Sequence, residues 1–302
     1  MATTRFLAIL LLIACGLLIP THAKAAQSYD NCTNFIDSVP ATISTQGVWC
    51  LRKDVSTGVT SGSAINIQAN NVTIDCNDFK LGGLSAGNES QASGIRADGR
   101  QNITVRNCNI RGFNYGILLY GGAGQLIENN RLDNNLSVGI YANGTNNSIF
   151  RSNRVYDTGG YPDNATHAGI NSYGGDAVEI ADNIIAGVAG TPGYYNAVVG
   201  IIRGNYVSGV YQTSAQITGN SISGLASTGT GMTAHGFTNT NYGNTSGVIL
   251  FAGNTLYMTS TVANSVGIKC TYGGVSIRDN SIFGFPVGFD GTCWDDGGNV
   301  AR

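Results

Sequence analysis

One short pattern recurs along most of the chain and limits what the chain can fold into. It consists of an apolar residue, two residues of any type, an asparagine, one further residue and a second apolar residue, as in IADNII from Ile180, whereas VRNCNI from Val105 has a cysteine in the asparagine position. The asparagines of this pattern are Asn77, Asn130, Asn153, Asn183, Asn220, Asn254 and Asn280. Such repetition predicts a stack of similar small units, none of which is stable alone.

A second pattern lies between copies of the first: glycine, an apolar residue, any residue, a small residue and a polar residue. It reads GIRAD from Gly94, GIYAN from Gly139 and GMTAH from Gly231. In a strand the second and fourth residues point to the same face, so their apolar character predicts a face directed into a core. The residues at the second position, which should form one buried column, are Ile95, Ile117, Ile140, Ile170, Met232 and Ile268.

Each unit is therefore expected to contain two or three short strands separated by tight bends. Glycine and asparagine suit such bends because they accept left-handed backbone conformations, and the chain has 43 glycines in 302 residues. Parallel stacking pairs each strand with its copies above and below, which predicts an all-β solenoid of about eight to ten coils. Helix should be scarce, with a short capping helix around residues 34–39.

These repeats resemble those of the pectin-lyase-like superfamily of right-handed parallel β-helices, and AINIQANNVTIDCNDFKLGG from Ala64 resembles the first coils of such proteins. The resemblance implies a single-stranded right-handed parallel β-helix over residues 61–295, an N-terminal cap over 26–60 and a C-terminal tail over 296–302. IRGNYV from Ile202 also fits the asparagine pattern, but it precedes Asn220 too closely for a full coil. The register around residues 195–215 is therefore open.

Residues 1–25 have the features of a secretory signal peptide. Arg5 precedes an apolar stretch, and the segment ends in an Ala-x-Ala motif at Ala25. The apolar stretch is short for a membrane span, which predicts an exported protein, secreted or periplasmic. LIAC, ending at Cys15, also resembles a lipoprotein processing site; we disfavour this alternative because apolar residues continue beyond Cys15.

Beyond this leader the number of cysteines is even, which indicates disulfides in an exported protein. No Cys-x-x-Cys pair is present that would indicate zinc. Cys76 and Cys108 fall almost one above the other in the aligned repeats, and the first pair would tie down the cap. The predicted pairs are Cys32 with Cys50, Cys76 with Cys108, and Cys270 with Cys293.

The charge composition excludes one class of function. Charged residues make up 11% of the chain and the formal net charge is −2. Proteins that bind nucleic acid normally carry a basic stripe, and none is visible, so no nucleic-acid partner is expected. The superfamily contains lyases, hydrolases, epimerases and non-catalytic binders, so the resemblance implies a protein that acts on or binds polysaccharide without naming the reaction.

The third and fifth residues of the glycine pattern should form one outward strip, because neighbouring coils lie about 4.8 Å apart. Aromatic rings and amides on such a strip suit a sugar chain, which stacks on rings and hydrogen-bonds to amides. The alternative interpretation is a solvated strand face without a ligand. The residues predicted to bind a glycan are Asp98, Tyr120, Asn143, Asn171, Tyr173, His167 and Lys269.

Lyase or epimerase chemistry on an acidic glycan needs a cation for the carboxylate, a base for the C5 proton and an acid for the leaving oxygen. The candidate catalytic residues are Arg96, His235 and Tyr141. Hydrolysis ranks lower, because Asp98 has no second carboxylate on the strip. The alternative function is a non-catalytic glycan-binding or surface-adhesion module. We expect a monomer without a membrane span and without a cofactor; calcium stays open, although no convincing ligand cluster is visible.

Overall fold

The computed structural model describes residues 29, 31–163, 166–194, 197–206, 214–227, 232–242, 247–258, 263–271 and 273–302, without the side chains of residues 205, 206, 241 and 242. The chain divides into the compact units Met1–Asn31 and Cys32–Arg302, and all the described strands lie in the second. The predicted leader, including Cys15, and Gly231 of the second pattern lie outside the described residues.

Short strands make up most of the described chain. The one helix among the described residues is a 3₁₀ turn, Leu84–Ala86, and residues 34–39 begin with a strand, so the predicted capping helix is wrong. The strands are β1 (Asn34–Phe35), β2 (Ala41–Ile43), β3 (Gly47–Cys50), β4 (Val55–Ser56), β5 (Ser63–Ile67), β6 (Val72–Asp75), β7 (Lys80–Gly82), β8 (Ser93–Asp98), β9 (Ile103–Arg106), β10 (Asn109–Arg111), β11 (Tyr115–Tyr120), β12 (Leu126–Glu128), β13 (Arg131–Asp133), β14 (Val138–Asn143), β15 (Ile149–Arg151), β16 (Arg154–Tyr156), β17 (His167–Tyr173), β18 (Val178–Ala181), β19 (Ile184–Ala186), β20 (Val198–Tyr206), β21 (Ala215–Thr218), β22 (Ser221–Ser223), β23 (Ala234–Tyr242), β24 (Ile249–Ala252), β25 (Thr255–Tyr257), β26 (Val266–Cys270), β27 (Val275–Arg278), β28 (Ser281–Phe283), β29 (Val287–Gly291), β30 (Trp294–Asp295) and β31 (Val300–Ala301).

The strands form three parallel sheets that run the length of the solenoid. Sheet A has eleven strands, from β1 to β30; sheet B has ten, from β2 to β29; and sheet C has ten, from β4 to β31. From β2 onward each coil supplies one strand to sheets B, A and C in turn, which gives ten coils and confirms the predicted all-β solenoid. Coils begin within the segment predicted as the N-terminal cap, and β31 lies within the predicted tail.

The glycine pattern forms sheet B, and its second position is buried in one column. The paired residues follow each other directly from coil to coil, so their side chains stack inside the solenoid. Stacked aliphatic side chains of similar volume fill such an interior without voids. The column is Ile65, Ile95, Ile117, Ile140, Ile170, Ile201, Phe237, Ile268 and Phe289.

Met232 does not belong to this column, which corrects the predicted register. Phe237 occupies the position instead and pairs with Ile268. The pattern therefore starts at Gly236, as GFTNT, and one coil earlier at Gly200, as GIIRG. Polar residues stand in the fourth position of these two copies, where a small apolar residue was expected. Within the range left open by the sequence, this gives the register of β20, whereas residues 195, 196 and 207–213 lie outside the described residues.

The glycine of the pattern is required because its α-carbon faces the packed interior. A Cβ at Gly139 would lie 2.6 Å from Cγ1 of Val155 in sheet C and 2.7 Å from the carbonyl oxygen of Gly169 in the next coil. Side chains do not fit at such distances, so any other residue would push two sheets or two coils apart. The residue after this glycine points inward as well, so the strand is locally bulged.

The recurring asparagines form a buried ladder at the corner between sheets A and C. Nδ2 of Asn183 donates to the carbonyl oxygen of Phe150 (2.9 Å) and to Oδ1 of Asn220 in the next coil (3.0 Å). The left-handed backbone conformation belongs to the residue before each ladder position, for example Asp182 with φ 53°. Asn77 stands outside this series. The ladder is Asn130, Asn153, Asn183, Asn220, Asn254, Asn280 and Asn299.

All three predicted disulfides form. The Cα–Cα distance is 5.8 Å between Cys32 and Cys50. It is 4.6 Å for the second pair, which joins consecutive coils at the A–C corner, and 5.3 Å for the third, which joins the last two coils. Covalent links at both ends of the solenoid oppose fraying there, because the terminal coils have a neighbour on one side only.

Candidate functional site

Sheet B carries a run of tyrosines on its outer face. The ring centroid of Tyr141 lies 5.3 Å from that of Tyr115, 5.7 Å from that of Tyr120 and 6.3 Å from that of Tyr173, with the planes tilted. Tilted aromatic pairs at such distances attract each other. We call these four residues, which come from three consecutive strands, the tyrosine strip.

The bulge at each glycine explains why Tyr115 belongs to the strip although the sequence pattern did not predict it. The residue before the glycine points outward, to the same side as the third residue of the pattern. Val138, Ala168 and Val199, which precede three of the glycines, form a small apolar cluster on this face with Ile202, and Tyr115, Tyr141 and Tyr173 pack against it. The strip thus has an apolar floor that continues toward the next coils.

Polar groups accompany the tyrosines as the sequence predicted. Asn143 lies between Tyr120 and Tyr173 in the register of neighbouring strands, and its Nδ2 donates to the hydroxyl of Tyr141 over 3.4 Å. Asn171 lies beside Tyr141, and its buried Oδ1 has no hydrogen-bond partner among the described residues. A hydrogen-bond acceptor is therefore unused at the centre of this face.

Two phenols of the strip, those of Tyr115 and Tyr141, stay protonated at physiological pH. Burial, together with the neighbouring Tyr120 and Tyr141, raises the pKa of Tyr115 to about 12. Burial also raises the pKa of Tyr141. Protonated phenols both donate and accept hydrogen bonds, which suits sugar hydroxyl groups.

An ion pair between Arg96 and Asp98, both on β8, lies at the N-terminal end of the strip. Nη2 of Arg96 lies 2.6 Å from Oδ2 of Asp98, and Nε lies 2.9 Å from the same oxygen. The guanidinium carbon lies 5.9 Å from the ring centroid of Tyr120. Both predicted residues are therefore on the strip, but the charge of Arg96 is largely balanced by Asp98.

At its other end the strip opens into a cavity of about 220 Å³, which we call the histidine cavity. It lies on the outer face of β17, β20, β23 and β26. Tyr173 belongs both to the strip and to this lining. The side chains of Ile202, His235, Thr238 and Lys269 also line this cavity.

His235 reaches this cavity from a position other than the predicted one. It precedes Gly236 and pairs with Val199, so it is not a fifth-position residue beside Tyr173. Burial, together with the charge of nearby Lys269, lowers the pKa of His235 to about 4. The imidazole is therefore neutral at pH 7, and its Nε2 has no hydrogen-bond partner among the described residues.

Lys269 supplies positive charge to the histidine cavity. It stands in the third position of its strand, next to Thr238, as the corrected register requires. Its Nζ lies 4.0 Å from Oδ2 of Asp290 in the last coil. This contact is loose and half-exposed, so the ammonium group can still turn toward a ligand anion.

His167, which the sequence suggested as a glycan contact, lies away from the exposed face. It is fully buried at the start of β17, and its Nε2 lies 3.3 Å from Oγ1 of Thr191. Burial lowers its pKa. His167 is therefore too deeply buried to contact a large ligand directly.

Two features rise beside the strip as walls. On one side is the loop between β16 and β17, whose Tyr161 hydroxyl accepts a hydrogen bond from Nε2 of Gln91 over 3.1 Å. Gln91 precedes β8, so the loop runs back along the solenoid. On the other side, β20 and β23 have nine residues each, where β11 and β14 have six. Gly204 leaves room for Tyr173, because a Cβ there would lie 2.6 Å from Cδ1 of that ring.

The described residues contain no group of three or more His, Cys, Asp or Glu side chains arranged to hold a metal ion. Nor does any helix in the described part of the chain have the length and hydropathy needed to cross a membrane.

Comparison with protein families agrees with this architecture. Residues 53–201 match the model of the right-handed β-helix region. The chain is a right-handed parallel β-helix. The fold that the resemblance implied, a right-handed parallel β-helix, is thus confirmed. No curated protein matches the sequence.

Several solved structures share the β-helix fold. The A-module of the mannuronan C-5 epimerase AlgE6 from Azotobacter vinelandii is 13% identical, with a TM-score of 0.50 over 89% of this chain and 88% of that chain. The tailspike protein of E. coli bacteriophage HK620 in complex with a pentasaccharide is 12% identical, with a TM-score of 0.49 over 86% of this chain and 54% of the tailspike. At 13% identity the likeness to the AlgE6 A-module establishes the fold and nothing about the reaction.

Proposed function

We propose that this β-helix is an exported protein that binds an extended polysaccharide along the tyrosine strip and acts on it in the histidine cavity. The observation that carries the proposal is the continuity of the two, since Tyr173 belongs to both. A polymer held on the rings would be led directly to His235. The three disulfides suit an oxidising compartment outside the cytoplasm.

The shape of the surface suits a linear polymer. Its floor repeats every coil, about 4.8 Å along the axis, so equivalent side chains are offered to successive parts of a chain. Tyr141 and Tyr173 offer ring faces to the apolar side of a sugar. The loop with Tyr161 and the long strands β20 and β23 would keep the polymer on this line.

The chemistry that fits the cavity is proton abstraction from an acidic sugar, as in a lyase or an epimerase. Lys269 would pair with the substrate carboxylate, which makes the C5 proton more acidic. Nε2 of the neutral His235 would accept that proton. In a lyase the C4–O bond would then break, a C4=C5 double bond would form, and the Tyr173 hydroxyl would protonate the leaving oxygen. In an epimerase a proton would return to the opposite face of C5.

The other two catalytic candidates fit binding better under this proposal. Asp98 accepts two short hydrogen bonds from the guanidinium of Arg96. Lys269, whose nearest carboxylate contact is 4.0 Å long, is therefore the cation better placed to pair with a substrate carboxylate. Tyr141 stands on β14 at the centre of the strip, three coils along sheet B from β23, the strand of His235. Its ring would stack on sugar while its hydroxyl, already bonded to Asn143, orients it.

A non-catalytic glycan-binding module is the second candidate, and one observation favours it. His235 is only 8% exposed, so a substrate atom reaches its Nε2 only if the cavity adjusts. Both cations near the strip also face a carboxylate, Asp98 or Asp290, as expected for a surface that binds neutral sugars.

A panel of acidic and neutral polysaccharides separates the two candidates. Ultraviolet absorbance detects the unsaturated lyase product, and deuterium uptake at C5 in heavy water detects epimerisation. We expect one acidic polymer to react, and His235→Ala and Tyr173→Phe to abolish that reaction while binding persists. Tyr257→Phe, which changes a 49% exposed tyrosine on sheet C, is the matched control. Binding without turnover on every acidic polymer would establish the second candidate; absence of both binding and turnover would reject the strip as a glycan site.

A further inference from the structure

A second polar cavity, of about 260 Å³, lies at the corner between sheets A and C, the corner that sheet B does not border. It is separate from the tyrosine strip and from the histidine cavity. Its lining includes two arginines, Arg131 and Arg154, together with Asn129, Ser152 and Asp78. The buried asparagine ladder lies behind it, so its floor is fixed by the hydrogen bonds of that ladder.

The two arginines stand directly above one another. Arg131 of β13 and Arg154 of β16 are paired in the register of sheet C, which puts their backbones about 4.8 Å apart. Nη2 of Arg131 lies 3.6 Å from Oδ2 of Asp133, and its guanidinium lies over the ring of Tyr156. The side chain of Arg154 makes no hydrogen bond or ion pair with any described residue. Two like charges in neighbouring coils repel each other unless an anion lies between them.

The local charges leave this corner with an excess of positive charge. Asp133 serves two arginines, because Nε of Arg111 lies 3.9 Å from its other oxygen. Arg154 has no carboxylate of its own, and Asp78 lies two coils before Arg131. The amide of Asn129 and the hydroxyl of Ser152 add donors; both residues have a left-handed backbone, with φ 55° and 54°.

We infer that this cavity binds an oxyanion of the phosphate or sulfate type, carried on a larger ligand as an ester. Guanidinium groups bind such oxygens through paired hydrogen bonds, and neighbouring amide and hydroxyl donors can reach the remaining oxygens. A tetrahedral ester presents three free oxygens and up to two negative charges, which matches two guanidiniums better than a carboxylate with two oxygens and one charge. The inference does not depend on the proposed function of the tyrosine strip.

Isothermal titration calorimetry at low ionic strength tests the site, with inorganic phosphate, inorganic sulfate and acetate as probes. We expect saturable binding of phosphate or sulfate at one site per chain and weaker binding of acetate. Arg154→Gln should weaken binding at least about tenfold, because a hydrogen bond to a charged group is lost. Arg154→Lys should retain part of the affinity, because lysine carries the positive charge but lacks the planar guanidinium group that donates two parallel hydrogen bonds. Glucose 6-phosphate and glucose 6-sulfate then distinguish the two kinds of ester.

Arg278→Gln is the matched control, since Arg278 is a 55% exposed arginine on sheet A, outside the cavity. Thermal unfolding of Arg154→Gln should match that of the unaltered protein, because the side chain has no partner to lose. Equal affinity in Arg154→Gln, equal loss in Arg278→Gln, or no saturable binding of either tetrahedral anion would each overturn the inference. Preference for acetate over both would reject the assignment to phosphate or sulfate.

Discussion

Inside the solenoid, Nη2 of Arg203 donates a hydrogen bond to the carbonyl oxygen of Gly175 over 2.5 Å. Nη1 donates to the carbonyl of Gly174 in the same turn. After β17 the chain turns at these glycines, whereas the next coil continues in β20 as far as Tyr206. Arg203 supplies side-chain donors to the two carbonyls of this turn. Burial lowers its pKa to about 10, so the side chain is still charged at neutral pH.

Replacing this arginine should destabilise the protein strongly. Arg203→Met keeps the length of the side chain but leaves two buried carbonyls without donors, at about 1–3 kcal/mol each. We expect the free energy of unfolding, measured by urea denaturation, to fall by about 3 kcal/mol. Arg278→Met, at an exposed arginine, controls for the loss of charge and should have little effect. An unchanged denaturation midpoint in Arg203→Met would show that water replaces the guanidinium without cost.

The glycines of sheet B give a second stability prediction. Gly139→Ala should lower the free energy of unfolding by about 1–3 kcal/mol, because its Cβ would overlap Val155 and the next coil. Gly273→Ala is the control: no atom lies within 4 Å of a Cβ there, and its φ is not in the left-handed region. Differential scanning calorimetry compares the two, and similar unfolding temperatures would contradict the role assigned to the glycine pattern.

The sequence predicts most of this fold because the repeats report side-chain direction coil by coil. Five of the six residues predicted for the inner column lie in it, and all three disulfides were predicted. The predicted register was wrong where a copy of the pattern departs from the others: Arg203 and Asn239 stand in a position that is otherwise small or apolar. A polar residue pointing inward cannot be recognised without knowing that a neighbouring turn needs its donors.

Prediction of the site failed in part for a related reason. If strand residues alternated strictly, Tyr115 would point into the core. The sequence pattern assigns His235 to the fifth position of one copy, whereas it precedes the glycine of the next copy. The bulge at each glycine reverses that alternation locally and brings the preceding residue to the outer face. Six of the seven residues proposed for binding lie on or beside the outer face of sheet B. His167 does not: it pairs with the core residue Val198 and its Nε2 contacts Thr191, which follows β19.

The asparagine ladder should matter for stability and not for ligand binding. In Asn220→Ala the carbonyl of Ile180 loses its donor, which lies at 2.9 Å, and Asn183 loses its acceptor. We expect the free energy of unfolding to fall by about 2–4 kcal/mol, since buried polar groups are left without partners. Ser221→Ala changes the adjacent exposed residue and should cost little. A variant that unfolds normally but no longer binds glycan would place the binding surface at this corner instead.

The buried histidine predicts how stability depends on pH. The pKa of His235 is about 4 in the folded protein and 6.5 in its ordinary state, so the folded protein binds fewer protons between these values. Stability is then full above about pH 6.5 and falls as the pH decreases toward 4, by about 3 kcal/mol. His235→Gln removes this contribution, so its urea midpoint should change less over that range. The lowered pKa of His167 acts in the same direction and remains in the variant. Equal slopes for the two proteins would show that His235 titrates normally.

The tyrosine at the junction of strip and cavity allows stacking and proton transfer to be measured separately. Tyr173→Ala removes a ring that packs against Tyr141 and over Gly204, so glycan affinity should fall about tenfold. Tyr173→Phe keeps the ring, so affinity should be nearly retained while any lyase turnover is lost with the hydroxyl. Tyr257→Ala, at an exposed tyrosine on sheet C, should leave both unchanged. Fluorescence titration with the best polymer of the panel gives affinity, and product absorbance gives turnover. If Tyr173→Ala binds every polymer as tightly as the unaltered protein, the strip does not carry the ligand, and His235 and Lys269 lose the surface that would deliver a substrate to them.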